Sequence, residues 1–258
     1  MATTAHGRNI SERGENDCQF LFTVFTPTYN RGHTLKRVYE SLKNQTCKNF
    51  EWLIIDDGST DNTRGQVDEW CRQGQVTIRY EFQPNQGKHS AHNYALDLAR
   101  GKFFLPLDSD DSCVPQALER FKCHWDTIPT EVRSEFSGVC ALCVDQHGRL
   151  VGDRFPHDVF DSNSLEVTFR FRIKGEKWGF HRTDILKHFR FPAMANASFI
   201  PESFVWFAIA RHYKERYVNE ALRIYWSQPS DATEQDDMSA MGFNDSKKKS
   251  AICERCER

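Results

Sequence analysis

The sequence predicts an α/β fold built on a mostly parallel β-sheet that is flanked by helices. Short apolar, β-prone runs alternate with segments whose apolar residues recur at helical spacing. Between residues 20 and 107, strand and helix follow one another at short intervals, the pattern of parallel strands joined by right-handed crossovers. Polar loops follow the strands at 27–32, 56–61, 84–89 and 108–111. In open α/β sheets these loops meet at one edge, where ligands bind.

The first half of the chain is predicted to contain four strands with three helices between them. The strands are Phe20–Thr26, Phe50–Asp56, Val76–Phe82 and a run that begins at Gly101. The helices are recognised by apolar residues at helical spacing or by small residues: Leu35, Val38 and Leu42; Val67, Trp70 and Cys71; and Ser90 to Ala99.

The second half is predicted to be mixed, and both ends of the chain are predicted to lie outside the folded part. The expected elements are a helix through Leu118, Phe121 and Trp125, a strand near 137–145, a helix from Thr183 to Phe189, a buried helix from Ser203 to Tyr213 and a final strand from Tyr217 to Trp226. Residues 1–17 and 227–258 are polar and lack a hydrophobic period, which predicts a disordered tail at the start and a polar tail at the end.

Composition narrows the classes of function. The 258 residues carry a net charge of −2, so no overall positive field favours nucleic acid as a partner. No apolar run reaches the roughly 18 residues of a membrane-spanning helix, and the polar N-terminus does not read as a secretory signal. The sequence therefore predicts a cytoplasmic protein without an integral membrane segment. Cys140 and Cys143 lie three apart on a predicted strand and face opposite sides, which favours core packing over a shared metal.

Three acids follow the apolar run from Phe103 to Leu107. Asp108, Asp110 and Asp111 repel one another unless a cation or a donor-rich ligand offsets their charge. Mg²⁺ and Mn²⁺ prefer such oxygen ligands and commonly combine one or two of them with substrate phosphates. The alternative is an acidic turn that caps the helix after Pro115.

Four motifs in order resemble the inverting GT-A glycosyltransferases of family 2. They are Thr26–Arg31, Ile55–Asp61, Asn85–Lys88 and Leu107–Asp111. The resemblance is close over about 20–115, looser to Trp226 and absent from both ends. It implies a Rossmann-like GT-A sheet, in which 18–113 binds the nucleotide sugar and 114–226, the acceptor-side subregion, binds the acceptor. It also implies a nucleotide-diphosphate sugar donor, usually a UDP-sugar, Mn²⁺ or Mg²⁺, and a hydroxyl acceptor on a glycan, a lipid-linked sugar or another molecule, with the enzyme cytoplasmic or peripheral to a membrane.

Carried over position by position, the resemblance implies roles for particular residues. Thr26 and Asp57 match positions that contact the nucleobase in this family. Asp108 matches the acid that lies near the ribose and the metal, and Asp110 matches the acid that ligates the metal. The nucleotide-binding residues implied are Thr26, Pro27, Thr28, Asn30, Arg31, Asp57, Lys88, Asp108 and Ser109.

The catalytic base is expected at Glu202. Inversion requires the acceptor hydroxyl to attack from the side opposite the leaving diphosphate, so the base must lie away from the acids that hold the metal. Glu202 follows a proline and opens an apolar helix, where a negative charge is favoured. The segment also resembles the acidic acceptor-side motif of the family, with Glu where many members have Asp. Helix capping is the alternative, and Asp184 and Glu176 are the next acids to consider.

Several alternatives stay open at this point. Trp178 and Trp206 are expected to line the acceptor or sugar pocket, although core packing explains either one. His89 and His92 are better explained by packing or capping, and Asp57 also fits a structural turn. A non-catalytic nucleotide-sugar-binding protein would keep the same fold. A sugar nucleotidyltransferase would carry a Gly-rich, basic loop where this chain has Pro27–Asn30.

Overall fold

The computed structural model describes residues 18–192 and 200–226, and their first half is a parallel sheet. The strands are β1 (Phe20–Thr28), β2 (Phe50–Asp56), β3 (Ile78–Phe82) and β4 (Gly101–Pro106). They lie in the order β3-β2-β1-β4, and each neighbouring pair is parallel. Helices α1 (Gly32–Lys43), α2 (Thr63–Gln73) and α3 (Lys88–Leu98) connect them. The predicted mostly parallel sheet flanked by helices is confirmed.

The second half extends the same sheet with mixed pairing. Its elements are β5 (Ser112–Cys113), α4 (Ala117–Asp126), β6 (Phe136–Asp145), β7 (Val159–Ser162), a π-helical turn (Glu166–Arg170), β8 (Lys177–Arg182), α5 (Thr183–Leu186), α6 (Ser203–Ala210) and β9 (Lys214–Tyr225). Strand β8 lies antiparallel between β4 and β6. Strand β9 runs parallel to β6, while β5 and β7 pair antiparallel with β9.

Apolar side chains cover both faces of the sheet. On one face, helix residues such as Leu35 and Phe121 pack with Trp52. On the other face, Ala91 and Val205 pack with Phe25 and neighbouring strand residues. Helices therefore bury the sheet from both sides, and the loops at the strand ends are the part of the sheet left for a ligand.

Most predicted elements are present, and three details are corrected. Cys71 is exposed rather than turned inward. The helix that begins at Thr183 ends at Leu186. The helix that begins at Ser203 ends at Ala210 and is not buried all round, because Val205 and Ile209 pack on the sheet while Phe204 is 56% exposed.

The predicted faces of Cys140 and Cys143 are confirmed, because the two side chains belong to different core clusters. Within residues 18–192 and 200–226, none of the helices combines the length and the hydropathy needed to cross a membrane. The tails predicted at 1–17 and 227–258 lie outside the described residues. The division into 18–113 and 114–226 stays a prediction.

Candidate active site at the carboxyl ends of the strands

The loop after β4 presents its acids beside a lysine from another loop. Lys88 begins α3, and its Nζ lies 2.8 Å from Oδ1 of Asp108. The same Nζ lies 2.8 Å from Oε1 of Glu202, at the start of α6. One ammonium therefore joins the expected metal-binding acid to the expected base, although the three residues come from three separate segments.

The charges in this group stabilise one another. Burial alone would lower the pKa of Lys88, but the carboxylates of Asp108 and Glu202 outweigh it and hold that pKa above its usual value. Burial alone would raise the pKa of Asp108, but Lys88 and Arg223 hold it below its usual range. Asp108 is therefore an ionised carboxylate and Lys88 a cation at neutral pH.

Asp110, the second candidate metal ligand, is paired with a different basic side chain. Its Oδ2 lies 3.4 Å from Nη1 of Arg31, with both side chains partly exposed. Its backbone carbonyl accepts a hydrogen bond of 3.3 Å from Arg37. Both candidate ligands are thus paired with basic side chains at a solvent-accessible rim, and such exposed pairs are weak enough to exchange.

The donor set suits a hard divalent cation that is completed by a ligand. In the described part of the chain, no group of three or more His, Cys, Asp or Glu side chains is placed to enclose a metal. Asp108 and Asp110 offer two carboxylates one residue apart along the loop. Mg²⁺ and Mn²⁺ are commonly bound by one or two carboxylates together with substrate phosphates, so the residues fit that arrangement.

The third acid of the loop, Asp111, is structural. It is 1% exposed, and its Oδ2 lies 2.8 Å from Nε of Arg223 on β9. Arg223 also lies 3.4 Å from Glu176, which brings that acid to this end of the sheet. Burial would lower the pKa of Arg223, but Asp111 and its acidic neighbours hold the pKa above its usual value. The buried pair anchors the acidic loop to β9.

Asp57 makes its contacts within the protein. Its carboxylate accepts hydrogen bonds from the Gln83 side chain at 2.6 Å and from the backbone N–H groups of Gln86 and Gly87 at 2.8 Å each. It is 5% exposed. These bonds fix the loop that carries Lys88. This is the structural role in a turn that the sequence left open as the alternative for Asp57. The nucleobase contact expected for Asp57 stays a prediction. A nucleobase would have to bond a carboxylate that already accepts hydrogen bonds from three donors of the protein.

The other nucleotide-binding candidates divide by exposure. Thr26 has no exposed surface and its hydroxyl accepts a hydrogen bond from Trp52, so the nucleobase contact expected for it stays a prediction. Thr28 and Ser109 are also buried, and the Thr28 hydroxyl has no hydrogen-bond partner among the described residues. Pro27, Asn30 and Arg31 are partly exposed.

Asn30 shapes the first loop. It adopts a left-handed backbone conformation with a φ of 53°, which Asn tolerates better than most residues. Its side-chain oxygen accepts a hydrogen bond of 2.8 Å from the Thr60 N–H. The β1 and β2 loops are thereby joined beside the acidic rim.

A cavity of about 370 Å³ opens beside the Lys88 group. Its mouth includes Lys88, Asp108 and Glu202, and Trp206 forms part of its wall. Trp178 also borders the cavity but is 3% exposed, because its indole N–H donates to the Pro106 carbonyl and its ring packs on Phe121. The volume lies within the range of about 300–1,000 Å³ that is usual for ligand pockets.

The structure separates the alternative bases. The Thr183 hydroxyl bonds the carbonyl of Gly101, the first residue of β4, whereas Asp108 follows the last residue of that strand. Asp184 therefore lies at the wrong end of the sheet to act on a ligand held by Asp108.

His92 is buried among Phe25, Phe104 and Phe191, and burial lowers its pKa to about 3, which agrees with a packing role.

The comparisons with known proteins agree with this geometry. The family model of Glycosyl transferase family 2 matches residues 23–132. This range covers the β1, β2, β3 and β4 loops described above. Residues 23–132 are therefore a glycosyltransferase family 2 domain.

Named glycosyltransferases and synthases are similar to part of the chain. An Escherichia coli protein named chondroitin synthase is 32% identical over 149 residues, which are 56% of this chain and 21% of that protein. An E. coli UDP-Glc:alpha-D-GlcNAc-diphosphoundecaprenol beta-1,3-glucosyltransferase is 37% identical over 100 residues, 39% of each protein. The chain thus aligns with less than half the length of either relative.

Solved structures show the same GT-A fold. The structure of Staphylococcus aureus TarS 1–349 superposes with a TM-score of 0.63 at 22% identity, covering 80% of this chain and 60% of that one. A mannosyltransferase from Pyrobaculum calidifontis, in complex with GDP-Man and Mn²⁺, superposes with a TM-score of 0.55 at 18% identity, covering 79% of this chain and 55% of that one. The GT-A fold class expected for this chain is confirmed.

Proposed function

We propose that the chain is a metal-dependent inverting glycosyltransferase that moves a sugar from a nucleotide-diphosphate sugar, most simply a UDP-sugar, to an acceptor hydroxyl. The observation that carries the proposal is the position of Lys88, 2.8 Å from both Asp108 and Glu202. It brings the candidate metal-binding acid and the candidate base to one cavity mouth. The base is thus near the reacting centre without belonging to the acidic loop.

Each residue of the group has a separate task. Asp108 and Asp110 would hold Mn²⁺ or Mg²⁺, which when bound offsets the charge that builds on a departing diphosphate. Arg31 and Lys88, the cations now paired with those acids, lie where they can turn to the donor phosphates. Glu202 would accept the proton of the acceptor hydroxyl through one of its carboxylate oxygens.

Relatives support the substrate classes without fixing them. TarS structures exist with UDP and with UDP-GlcNAc, and the E. coli relative is named for a UDP-glucose donor and a diphosphoundecaprenol-linked acceptor. A second relative, from Campylobacter jejuni, is named for a PP-undecaprenol-linked acceptor and is 27% identical over 211 residues, 79% of this chain and 63% of that protein. A lipid-linked sugar at a membrane surface is therefore one acceptor to assay, and a cytoplasmic enzyme peripheral to the membrane stays a prediction.

Turnover of Glu202→Gln tests the proposed chemistry. Release of UDP from a panel of UDP-sugars with Mn²⁺ and acceptor should fall by about 10²–10⁴-fold, the usual cost of losing a general base. Binding of UDP with Mn²⁺ should persist. Asp184→Asn is the matched control, because Asp184 is an exposed acid at the opposite end of β4.

Two results would count against the proposal. Near-normal turnover in Glu202→Gln would remove Glu202 as the base and make Glu176 the next acid to test. Binding of a UDP-sugar without release of its sugar to any acceptor would favour the non-catalytic binding protein.

A further inference from the structure

Three phenylalanine side chains meet at the surface where α6 lies beside the π-helical turn. Phe204 on α6 is 56% exposed, and Phe169 on the turn is 58% exposed. Phe207 is partly exposed, its ring centroid lies 5.5 Å from that of Phe169, and it follows Phe204 by three residues on the helix. Residues three apart on a helix are neighbours on its surface. The rings of Phe169, Phe204 and Phe207 therefore form one exposed group, the aromatic patch.

The side of α6 that faces the protein already has its packing partners. Val205 and Ile209 are buried in the core cluster that also contains Phe25. The Ser164 hydroxyl donates a hydrogen bond of 3.0 Å to the Trp206 carbonyl, which ties α6 to the segment before the turn. Single exposed apolar side chains are common on protein surfaces, whereas a contiguous group of them marks a surface that contacts a partner. The aromatic patch is such a group on a fixed scaffold.

Basic side chains surround the aromatic patch. The stretch 168–174 carries three cations, Arg170, Arg172 and Lys174, and no acid. Arg211 ends α6 seven residues after the first ring of the patch, so it continues the same face of the helix. Arg170 pairs with the acid four residues before it. Arg172, Lys174 and Arg211 are exposed and have no ion-pair partner within residues 18–192 and 200–226.

The combination of rings and cations fits the surface of an anionic bilayer. Phe side chains enter the boundary between the headgroups and the acyl chains, while Lys and Arg beside them attract anionic headgroups. The whole chain has a net charge of −2, so the excess of cations around the patch is local. Charge complementarity therefore favours an anionic lipid surface as the partner over a neutral one.

We propose that the aromatic patch and its basic rim dock the chain on a bilayer that contains anionic phospholipid. Phe207 also lines the cavity that has Lys88 and Glu202 at its mouth, so docking would bring this cavity next to the lipid surface. If the proposed function holds, a lipid-linked acceptor would reach the cavity without leaving the bilayer. The docking itself depends on none of the residues assigned to donor, metal or proton transfer, so it stands or falls independently of that function.

Flotation of the full chain with vesicles tests the docking surface. Vesicles of phosphatidylcholine alone are compared with vesicles that also contain phosphatidylglycerol, and divalent cations are omitted so that no metal ion bridges protein and lipid. The wild-type chain should float with the anionic vesicles and stay unbound in the presence of the neutral ones. High salt should weaken the binding, because the Debye length falls from about 10 Å at about 0.1 M to about 3 Å at about 1 M.

Two sets of variants separate the rings from the cations. Phe169→Ser combined with Phe204→Ser should weaken binding to anionic vesicles by at least about tenfold, because two rings no longer enter the apolar boundary. Arg172→Gln and Lys174→Gln should each weaken it by about fivefold, which corresponds to about 1 kcal/mol for a cation near an anionic surface.

Matched controls exist on other parts of the surface. Phe82→Ser removes a ring that is 53% exposed at the end of β3, outside the patch. Arg72→Gln removes an exposed cation at the end of α2, a helix that packs on the opposite face of the sheet from α6. Both controls should bind anionic vesicles like wild type. Urea denaturation of every variant checks that the fold is kept.

Three outcomes would overturn the docking surface. The first is wild type that binds neither kind of vesicle, or binds both equally. The second is binding to anionic vesicles that both sets of patch variants leave unchanged, since another part of the chain, such as Lys247–Lys249, would then carry it. The third is a patch that binds no vesicle but forms a dimer that Phe169→Ser with Phe204→Ser abolishes. Failure of wild type to bind UDP with Mn²⁺ would count against the proposed function alone.

Discussion

Two acidic turns lie at the carboxyl ends of β2 and β4, the strands on either side of β1, and use their carboxylates in different ways. At the end of β2, Asp57 accepts hydrogen bonds from two backbone amides and one side-chain amide. At the end of β4, Asp108 and Asp110 are paired with the mobile side chains of Lys88 and Arg31. Backbone donors cannot leave without unfolding the loop, whereas a lysine or an arginine can swing away.

The difference separates acids that build the site from acids that are available to a ligand. In the sequence both turns read as an apolar strand followed by Asp residues. Only the partner of each carboxylate distinguishes them, and the partners come from remote segments. Asp111 shows the same distinction within a single loop, since it is buried against Arg223 next to the accessible Asp110.

The largest stability effect should follow from Asp111→Asn. Removing Asp111 from this buried ion pair leaves the Arg223 charge with only its 3.4 Å contact to the partly exposed Glu176, and breaking a buried pair typically costs about 3–5 kcal/mol. Urea denaturation should show this loss in the free energy of unfolding. A loss below about 1 kcal/mol would mean that Asp111 is not an anchor and that the division of the loop is wrong.

Glu215 has neither kind of partner and should make stability depend on pH. Its pKa is about 7 in the folded chain against 4.5 as the ordinary value, so between these pH values the folded state binds more protons. The contribution of Glu215 to the free energy of unfolding should therefore fall by about 3 kcal/mol as pH rises from 4.5 to 7. Burial lowers the pKa of His181 to about 4 and that of His92 to about 3, so these two histidines contribute a rise over part of the same window, and the Glu215 effect is read as a difference between wild type and a variant.

Glu215→Gln removes this titration. Denaturation curves at pH 5 and pH 7.5 should show that the free energy of unfolding of wild type, taken relative to the variant, falls as pH rises. The control Glu220→Gln, which changes an acid on the same strand that pairs with Arg120, should keep the wild-type pH dependence. An identical pH dependence in Glu215→Gln would show that Glu215 ionises as an ordinary surface acid.

Asp57→Ala should have a smaller but clear effect on stability. Two backbone amides and the Gln83 amide lose their acceptor, and water can replace it only in part, so a loss of about 2 kcal/mol is expected in urea denaturation. UDP binding should weaken along with other nucleotides, because the loop that carries Lys88 loosens. A loss of discrimination for UDP alone, at unchanged stability, would restore the base-reading role.

Asp110→Ala should have the smallest effect on the fold. Its pair with Arg31 is partly exposed, and such pairs contribute about 0–1 kcal/mol. The free energy of unfolding should stay within that range of wild type. A loss as large as that of Asp111→Asn would place Asp110 among the structural acids.

Much of the fold was predictable because its signals are local. The apolar run at Phe50–Asp56 gave the bounds of β2, and the spacing of Leu35, Val38 and Leu42 gave α1. The positions of the loops followed from parallel topology alone. Cys71 was placed inward wrongly, because its helix packs through Val67 and Trp70 and leaves Cys71 exposed.

The candidate site was only partly predictable, because its pairs join distant segments. The motifs identified Asp108, Asp110 and Lys88, but no local pattern connects Lys88 to Glu202. Arg223, Glu215 and Tyr217 were missed, since strand register decides which face of β9 meets the cavity. One sequence signal pointed to this face of β9. It is the spacing of Glu215 and Tyr217, an acid and a tyrosine two residues apart in the strand. Thr26 matched a motif, and its complete burial could not be read from that motif.

The most direct test of the account is a calorimetric titration of UDP into wild type and Asp110→Ala, with and without Mn²⁺. Mn²⁺ should strengthen UDP binding to wild type, and Asp110→Ala should keep its fold while losing that metal-dependent gain. An equal gain from Mn²⁺ in both proteins, or none in wild type, would contradict the proposal that the accessible acids after β4 hold a metal-bound nucleotide.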